Sequence, residues 1–493
     1  MKFRSTRETE PKFVLSAEAI KEGLAPDGGL YLPEEIPTVS LDYITGLAAL
    51  PYSDRAAEIL SLFLTDYDKA LILEDCRDAY SEARFPGGAA PIHSLDSEGI
   101  EVLELWHGPT SAFKDMALQI MPKLLSRSLT MTGETRKALI LVATSGDTGK
   151  AALEGYRDVP GTGILVFYPV DGVSKVQKLQ MQTQEGDNVA VCAIRGNFDD
   201  AQNGVKQIFA DSAVAEQLNT KGVFLSSANS INFGRLAPQI VYYISAYADM
   251  VKAGSIKAGE EINICVPTGN FGNIFAAYIA KEMGLPVGKL ICASNSNNIL
   301  TDFIETGVYD RNRKFHTTIS PSMDILISSN LERLLSLICG PKATAEYMAS
   351  LKNDGKYSVT EDELAEIKKV FCGYYCSEDE TAAIIKETFD KNGYLIDTHT
   401  AVGLGCAKKY MKDSGDTKKL LLASTASPYK FSQDVLASLG LEVPADGLDA
   451  LTALSEATGT TIPTPLASLR GKTVRFDMTV DRSEMTETVL ANN

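Results

Sequence analysis

One lysine in the sequence stands in a setting that could make its amine reactive. Lys114 follows the apolar Phe113, and the run Gly108-Pro-Thr-Ser111 before it predicts the start of a helix. A cation near a helix start opposes the helix dipole, and partial burial lowers its pKa further. A lysine tuned in this way is suited to Schiff-base chemistry, although most lysines near helix starts are simply solvated.

Three loops rich in glycine, asparagine and hydroxyl-bearing residues follow predicted strands, at 143–149, 267–273 and 424–428. Ligands bind at the carboxyl ends of the strands in an open α/β sheet, so these loops are candidate binding sites. Their candidate residues are Thr144, Ser145, Asp147 and Thr148 in the first loop, Gly269, Asn270, Phe271, Gly272 and Asn273 in the second, and Thr425 in the third.

The first loop combines hydroxyls and glycines with a following helix, whose free backbone N–H groups favour an anion. It is not a P-loop. The P-loop pattern anchored on Gly149 and Lys150 needs glycine at 144 and serine or threonine at 151, where the chain has Thr144 and Ala151. A plain turn with a helix cap is the alternative interpretation.

The second loop is the best phosphate cradle in the sequence. Gly269 and Gly272 let a ligand approach the backbone, and Asn270 and Asn273 can cap the following helix or adopt a left-handed conformation. A nucleotide phosphate would fit this loop equally well. The third loop places hydroxyls at a sheet edge, but on its own it predicts only a capping turn.

Short apolar runs predict the strands that would position these loops, at 138–143, 163–168, 189–194, 262–266, 289–292 and 419–423. The runs are continuous rather than alternating, which is typical of parallel strands buried on both faces. Amphipathic segments such as 273–283 and 429–439 fit between them as helices. This alternation predicts a doubly wound α/β fold.

The length of 493 residues suggests about three domains. Turn signals up to Pro86-Gly-Gly88 separate a small, mostly helical N-terminal domain, 1–92, from an α/β region of two subdomains, 93–440, and a C-terminal segment, 441–493. Capping boxes that begin at Thr360 and Ser377 predict a helical insertion at about 320–400. We expect no chemistry in this insertion.

The composition excludes several classes of protein. The 47 Lys and Arg against 64 Asp and Glu give a net charge of −17, which argues against nucleic acid or an anionic membrane as partner. The eight cysteines form no CxxC pair, which is typical of reduced thiols, and the four scattered histidines argue against a zinc site. The sequence shows no targeting signal and no run of about 18 apolar residues, so we expect a cytoplasmic protein.

Taken together, these segments resemble the fold type II pyridoxal 5′-phosphate (PLP) enzymes, and within them the threonine synthase family. The resemblance runs from residue 5 to about 440, and it is carried by Ser111-Ala-Phe-Lys114-Asp115, Thr144-Ser-Gly-Asp-Thr-Gly149, Gly269-Asn-Phe-Gly-Asn273, Ser5-Thr6-Arg7 and His399-Thr-Ala-Val-Gly403. It implies parallel sheets flanked by helices, PLP held as a Schiff base on Lys114, the PLP phosphate in the 269–273 loop, and Thr425 at the pyridine nitrogen.

The segment that ends at Arg235 resembles the substrate-phosphate site of this family. Asn229, Ser230 and Arg235 would bind the phosphate of O-phospho-L-homoserine, and Arg235 supplies the local cation that a chain of −17 net charge needs. The alternative is that Arg235 pairs only with a surface carboxylate. The resemblance also implies that Thr144, Ser145, Asp147 and Thr148 bind the substrate, in the loop that holds its carboxylate. Asp147 stands where related enzymes often have asparagine in this loop, so beside an anionic substrate we expect it to be protonated or turned away.

The resemblance implies the threonine synthase reaction: PLP-dependent γ-elimination of phosphate from O-phospho-L-homoserine, then addition of water at Cβ to give L-threonine. Lys114 would be the catalytic base, in a monomer or a homodimer. The alternatives are another fold type II lyase, such as a serine/threonine dehydratase, and a non-catalytic phosphate-binding protein. Arg235 with Asn229 and Ser230 favours a phosphorylated substrate, because serine and threonine carry no phosphate.

Overall fold

Two β-sheets of mainly parallel strands, each covered by helices, form the body of the molecule in a computed structural model that describes residues 1–10, 12–95, 98–144, 146–171 and 173–492. The predicted α/β class with parallel sheets flanked by helices is confirmed. Among the described residues, no helix combines the length and the apolar character that crossing a membrane requires.

The N-terminal region contains a small antiparallel sheet as well as the predicted helices. The sheet has the order β2-β1-β3, and its strands are too short for an alternating pattern to predict them. Its elements are β1 (Lys2–Ser5), β2 (Val14–Leu15), α1 (Ser16–Glu22), β3 (Tyr31–Pro33), α2 (Leu41–Gly46), α3 (Tyr52–Phe63) and α4 (Lys69–Ala79). The domain boundaries proposed from the sequence stay a prediction.

A five-stranded parallel sheet carries the first candidate loop. Its order is β16-β8-β7-β6-β9, and β16 comes from the far C-terminal part of the chain. The elements from residue 92 to 253 are β4 (Ile92–Leu95), β5 (Ile100–Glu104), α5 (Asp115–Leu118), α6 (Met121–Met131), β6 (Lys137–Ala143), α7 (Asp147–Tyr156), β7 (Thr162–Pro169), α8 (Lys175–Gln182), β8 (Val189–Arg195), α9 (Phe198–Ala210), α10 (Ser212–Thr220), β9 (Val223–Ser226) and α11 (Phe233–Ala253).

A six-stranded sheet carries the second and third candidate loops. Its order is β14-β11-β10-β15-β5-β4, parallel except for β4. The elements from residue 262 onward are β10 (Ile262–Pro267), α12 (Gly272–Glu282), β11 (Val287–Ser294), α13 (Ile299–Thr306), β12 (Val308–Asp310), α14 (Leu331–Ile338), α15 (Gly340–Asn353), β13 (Lys356–Ser358), α16 (Glu361–Val370), β14 (Phe371–Tyr375), α17 (Glu378–Asn392), α18 (Thr398–Ser414), β15 (Leu420–Ser424), α19 (Ser432–Leu439), α20 (Gly447–Thr458), α21 (Thr464–Ala467), β16 (Thr479–Asp481) and α22 (Met485–Ala491).

All six predicted strands are confirmed, each within two residues of its predicted ends, as β6, β7, β8, β10, β11 and β15. The predicted helix at 273–283 is α12, whereas the one at 429–439 begins as a 3-10 turn, Pro428–Phe431, and continues as α19. Both capping boxes are present, at the starts of α16 and α17. The region 320–400 is mainly helical as expected, but it also supplies β14, an edge strand of the six-stranded sheet.

Candidate active site

Lys114 lies among polar side chains that come from separate segments of the chain. Its side chain is buried, and its Nζ lies 3.1 Å from Ser322 Oγ and 3.4 Å from Asp147 Oδ2. The same Nζ lies 5.4 Å from the centre of the Phe113 ring. Helix α5 begins one residue after Lys114 rather than several residues before it, and Ser111 in the preceding loop has a φ of 60°. The sequence therefore placed the helix start too early.

The pKa of Lys114 is lowered from its ordinary value, as predicted from the sequence. Burial is the main cause, because it penalises the charged amine. The positive charges of Lys430 and Arg235 act in the same direction, and the carboxylate of Asp147 acts against them. Since α5 has only four residues, the predicted contribution of a helix dipole is small.

Asp147 is the first residue of α7, and its carboxylate bridges two lysines. Its Oδ1 lies 2.6 Å from the Nζ of Lys430 and accepts a hydrogen bond from Gln177 Nε2 at 3.0 Å. Burial alone would raise the pKa of this carboxyl, but the charges of Lys430 and Lys114 outweigh burial and lower it. The sequence predicts that Asp147 is protonated or turned away. In the structure it is an anion that faces Lys114, because Lys430 compensates its charge.

The segment that was expected to carry no chemistry reaches the reactive amine. Ser322 lies in the 3-10 turn Pro321–Met323, and its backbone N–H donates to His399 Nε2 at 3.2 Å. The other ring nitrogen of His399, Nδ1, lies 2.8 Å from Asp397 Oδ2. An acceptor at Nε2 requires the proton of a neutral imidazole to be on Nδ1, where Asp397 accepts it. No chemistry is visible in the sequence of 320–400, but the structure places Ser322 of this segment beside Lys114.

The 269–273 loop has the shape of an anion cradle. Helix α12 begins at Gly272, and Phe271 before it adopts a left-handed conformation with a φ of 62°. The carbonyl of Asn270 accepts hydrogen bonds from the backbone and the side chain of Asn330, at 3.0 and 2.9 Å. A Cβ on Gly269 would lie 2.6 Å from the carbonyl oxygen of Ser322, so only glycine fits there. The loop thus packs closely against the turn beside Lys114.

Asn273 supplies an unused hydrogen-bond donor at the start of α12. Its Oδ1 accepts from the hydroxyl of Tyr242 at 2.7 Å and also from that of Tyr243, so its orientation is fixed. Its Nδ2 is buried and has no hydrogen-bond partner among the described residues. A buried donor left without an acceptor costs about 1–3 kcal/mol, which an anionic ligand at this helix start would recover.

Arg235 is buried near the start of α11, and no described carboxylate pairs with it. Among the described residues, the guanidinium makes one hydrogen bond, from Nη1 to the carbonyl oxygen of Ala228 at 2.6 Å. Burial lowers the pKa of its guanidinium to about 10. The alternative that Arg235 pairs with a surface carboxylate is therefore wrong, and its remaining donors suit a buried anion.

The neighbours of Arg235 are more exposed. Asn229 is exposed and Ser230 is half-buried, and the Ser230 hydroxyl donates to Asn229 Oδ1 at 3.3 Å. Asn330 Nδ2 lies 3.3 Å from Ser230 Oγ, so the residue that supports the 269–273 loop also contacts this segment. Their predicted contact with a substrate phosphate stays a prediction.

The first candidate loop is shaped from within by Thr144. Its Oγ1 accepts hydrogen bonds from the backbone N–H groups of Gly146 and Gly149, both at 3.0 Å. Thr148 is half-buried at the start of α7, and Ser145 lies outside the described residues. The hydroxyl of Thr144 stabilises the loop, and the predicted contacts of these residues with substrate stay a prediction.

Thr425 follows β15 and lies against the loop that contains Lys114. Its carbonyl oxygen accepts from the backbone N–H of Phe113 at 2.8 Å. Its hydroxyl makes no hydrogen bond with another described residue and is available to a ligand. The third loop is thus hydrogen-bonded to the loop that contains the reactive lysine. The role of Thr425 at a pyridine nitrogen stays a prediction.

Hydrogen bonds to Glu332 and Arg333 attach the N-terminal region to this site. Arg7 binds Glu332 at both oxygens, with distances of 2.7 and 2.8 Å. The next residue, Arg333, donates to the carbonyl oxygen of Tyr31 at 3.0 Å and to the side chain of Asn330. Asn330 in turn holds the 269–273 loop. The N-terminal motif noted in the sequence therefore supports the anion cradle.

Sequence reasoning missed Lys430, Ser322 and the support from His399. Lys430 could have been found, because it lies only two residues after the third candidate loop and parallel strands bring such loops together. No pattern of spacing marked Ser322, since its loop follows no predicted strand.

The site contains a reactive amine, an anion cradle and a buried unpaired guanidinium. Together these groups suit a ligand that carries a carbonyl and a phosphate, next to a second anionic molecule.

Two family models match the chain. The one described as the threonine synthase N terminus matches residues 2–80, and the one described as pyridoxal-phosphate dependent enzyme matches residues 90–425. Together they cover the region that carries the candidate site and the N-terminal region that supports it.

Individual proteins are similar along most of the chain. A threonine synthase-like 1 protein from Pongo abelii is 40% identical over 459 residues, which cover 89% of this chain and 61% of that protein. The chain thus spans about three-fifths of the length of such relatives. A threonine synthase from Pseudomonas aeruginosa is 40% identical over 441 residues, which cover 88% of this chain and 90% of that protein. A crystal structure of PLP-bound threonine synthase from Brucella melitensis is similar with a TM-score of 0.88 and 37% identity, covering 100% of this chain and 99% of that one.

Proposed function

The chain belongs to the threonine synthase family of pyridoxal-phosphate-dependent enzymes, and we propose that it converts O-phospho-L-homoserine and water to L-threonine and phosphate. The observation that supports this substrate best is the buried Arg235, which pairs with no described carboxylate. A buried guanidinium needs an anion, and a phosphate monoester supplies one.

The residues of the site fit PLP. The cofactor carries an aldehyde, a phosphate and a pyridine ring. Lys114 offers a buried amine of lowered pKa for the aldehyde. The start of α12 offers its free backbone N–H groups and the unpaired Nδ2 of Asn273 for the phosphate. The free hydroxyl of Thr425 is proposed to face the ring nitrogen. When bound, PLP withdraws electrons from the bonds at the α carbon of an amino acid.

Lys114 is proposed to move the protons of the reaction. Because its pKa is lowered, the amine loses its proton more readily than an exposed lysine does, so its Nζ can accept the proton from the substrate α carbon and return protons later. Lys114 is buried, so few waters compete for these protons. Arg235 is proposed to hold the phosphate at the γ carbon until the bond breaks and the charge of the leaving group grows.

The substrate carboxylate is proposed to bind at the start of α7, where Thr144 shapes the loop and Thr148 lies at the first turn. Free N–H groups and the helix dipole favour an anion at this position. Asp147 does not repel it strongly, because Lys430 compensates its charge at 2.6 Å. Asn229 and Ser230 are proposed to add neutral donors to the substrate phosphate.

An assay of both products tests the proposed function directly. The purified protein, loaded with PLP, should release phosphate and form threonine from O-phospho-L-homoserine in equal amounts. The Lys114→Ala variant should lose both products and the visible absorption of lysine-bound PLP. A serine/threonine dehydratase would instead release ammonia from serine or threonine. Ammonia release without phosphate release from O-phospho-L-homoserine would therefore overturn the proposal in favour of a dehydratase.

We also propose a cytoplasmic protein that works as a monomer or a homodimer. All eight cysteines lie among the described residues and carry free thiols, as a reducing compartment requires. The net charge of −17 does not suit nucleic acid. Light scattering on the PLP-loaded protein distinguishes the two assembly states.

A further inference from the structure

Lys430 is a fully buried lysine to which the proposed reaction assigns no step. It lies in the 3-10 turn Pro428–Phe431, shortly after β15, and its side chain has no exposed area. Its Nζ lies 2.6 Å from Asp147 Oδ1 and donates to the carbonyl oxygen of Thr110 at 3.0 Å. A buried ammonium is tolerated only where it is paired, so these two partners determine its position.

The segment that carries Lys430 is hydrogen-bonded along the loop that precedes the reactive lysine. The backbone N–H of Phe113 donates to the carbonyl of Thr425 at 2.8 Å, and the backbone N–H of Ser427 donates to the carbonyl of Ser111 at 3.0 Å. These two bonds and the bond from Lys430 Nζ to Thr110 fix the positions of the two loops relative to each other. The ammonium of Lys430 is therefore a rigid part of the site.

The carboxylate of Asp147 is shared unequally between its two lysines. Lys430 lies 2.6 Å from Oδ1, whereas Lys114 lies 3.4 Å from Oδ2, beyond the usual length of an N–H···O bond. Gln177 also donates to Oδ1, at 3.0 Å, and so holds the carboxylate towards Lys430. The negative charge of Asp147 is thus compensated mainly by Lys430.

We propose that Lys430 is a positioning residue for Lys114: it binds and neutralises Asp147, so that Asp147 does not capture the Lys114 amine in a tight ion pair. This inference rests on the proposed role of Lys114 in binding PLP. An amine in a tight pair with a carboxylate keeps its proton, and a protonated amine can neither bond to an aldehyde nor accept a proton from substrate. Lys430 therefore keeps the amine of Lys114 usable near neutral pH.

The signs of the expected effects follow from the charges around Lys114. The charges that act on Lys114 are those of Asp147 from α7, Lys430 from the 3-10 turn and Arg235 from α11. The other titratable groups nearby are the neighbouring Asp115 and, beyond Ser322, the pair of His399 and Asp397. Removing the charge of Lys430 takes a cation away from the surroundings of Lys114. Lys114 then becomes the cation nearest to Asp147. Both changes raise the pKa of Lys114. Removing the charge of Asp147 lowers it.

The rate at which PLP binds measures this pKa without any turnover. The full-length protein is stripped of PLP, and the growth of the visible absorption of lysine-bound PLP is followed from pH 6 to pH 10. The binding rate rises as Lys114 loses its proton, so the midpoint of the profile reports its apparent pKa. In Lys430→Met the midpoint should move up by at least about one pH unit, which makes binding about tenfold slower at pH 7. In Asp147→Asn it should move down.

Three further variants separate the charge of Lys430 from a general structural effect. Lys430→Arg keeps the cation and should stay close to the wild type. The double variant Lys430→Met with Asp147→Asn removes both charges and should return the midpoint most of the way to the wild-type value. Lys150→Met is the matched control, because Lys150 is a buried lysine of α7, the helix that begins at Asp147, and its Nζ pairs with Glu154 at 3.0 Å instead. It should leave the midpoint unchanged.

An unshifted midpoint in Lys430→Met, or shifts of Lys430→Met and Asp147→Asn in the same direction, would overturn the inference. If Lys430→Met does not fold, the double variant and Asp147→Asn decide by the same criterion, since in the double variant no buried charge is left unpaired. A wild type that binds PLP elsewhere than on Lys114 refutes the proposed function itself. A wild type that binds PLP on Lys114 while Lys430→Met behaves identically refutes only the role of Lys430.

Discussion

Replacing Arg235 with methionine should remove most of the activity without a corresponding loss of stability. Burial lowers the pKa of this guanidinium from an ordinary 12.5 to about 10. At about 1.36 kcal/mol per pH unit, the folded protein without ligand carries about 3 kcal/mol of poorly compensated charge burial. Methionine removes that cost but leaves the carbonyl of Ala228 without its donor, which costs about 1–3 kcal/mol. The free energy of unfolding should therefore stay equal or rise by up to about 2 kcal/mol.

The loss of activity follows from the donors that Arg235 leaves unused. Its one hydrogen bond to a described residue uses Nη1, so Nε and Nη2 remain available to a substrate phosphate. Two charge-assisted hydrogen bonds are together worth about 3–6 kcal/mol, which corresponds to a fall of about 10²- to 10⁴-fold in kcat/KM. Phosphate release measured over a range of O-phospho-L-homoserine concentrations gives this value directly.

Arg333→Met provides the matched comparison. Arg333 is also fully buried, but its Nε, Nη1 and Nη2 each have an acceptor, at Tyr31, Asn330 and Ile231. Its removal leaves three acceptors unpaired instead of one, which costs about 2–6 kcal/mol more. Burial lowers the pKa of Arg333 to about 9, so methionine relieves about 1 kcal/mol more charge burial there than at Arg235. Arg333→Met should therefore be less stable than Arg235→Met by about 1–5 kcal/mol. Thermal and urea unfolding of the two variants test this order. The reasoning fails if Arg235→Met is the less stable of the two, or if it keeps kcat/KM within tenfold of the wild type.

Three other outcomes are expected from the structure. Gly269→Ala should weaken PLP binding at least about tenfold in an absorbance titration, because its Cβ would lie 2.6 Å from the carbonyl oxygen of Ser322; Gly46→Ala, where a Cβ meets no atom within 4 Å, should bind PLP normally. His399→Ala should lower the free energy of unfolding by about 1–3 kcal/mol, because the partly buried N–H of Ser322 loses its acceptor, and an unchanged urea midpoint would contradict this. Burial raises the pKa of Asp115 to about 6 from an ordinary 3.8, so the stabilisation from its protonated form is present below about pH 4 and is lost as the pH rises through 6. The difference in unfolding free energy between the wild type and Asp115→Asn should accordingly fall by about 3 kcal/mol between pH 4 and pH 7, and a flat difference would show that Asp115 does not titrate in this way.

The strands that position the site could be predicted because both of their faces are buried. Runs such as 138–143 and 262–266 are continuously apolar, and the structure buries them as β6 and β10. The strand β14 could not be predicted in this way, because its side chains alternate between buried and partly exposed positions and Gly373 interrupts it. The strand β9 is only four residues long, and β16 only three, so neither gives a clear pattern.

The residues of the site could be predicted only where they lie together in one short stretch of sequence. The cradle at 269–273 and the lysine at 114 were recognised because glycines, asparagines and hydroxyls cluster beside them. The contacts that adjust the chemistry join residues far apart in sequence, such as Asp147 with Lys430 and Ser322 with His399. Hydrogen bonds of this kind depend on how the loops of two different sheets meet. A single sequence does not contain that distance information.

The central position of β15 in the six-stranded sheet determines when the site can form during synthesis. β15 pairs with β10 on one side and with β5 on the other, although β5 was made more than 300 residues earlier. Until residues 420–424 emerge, the two halves of this sheet have open apolar edges, and pairings over such separations form slowly. Thr425 and Lys430 follow immediately after β15. An interrupted chain that stops before this strand should therefore aggregate readily and should not acquire the cofactor, so cofactor incorporation marks the last steps of folding.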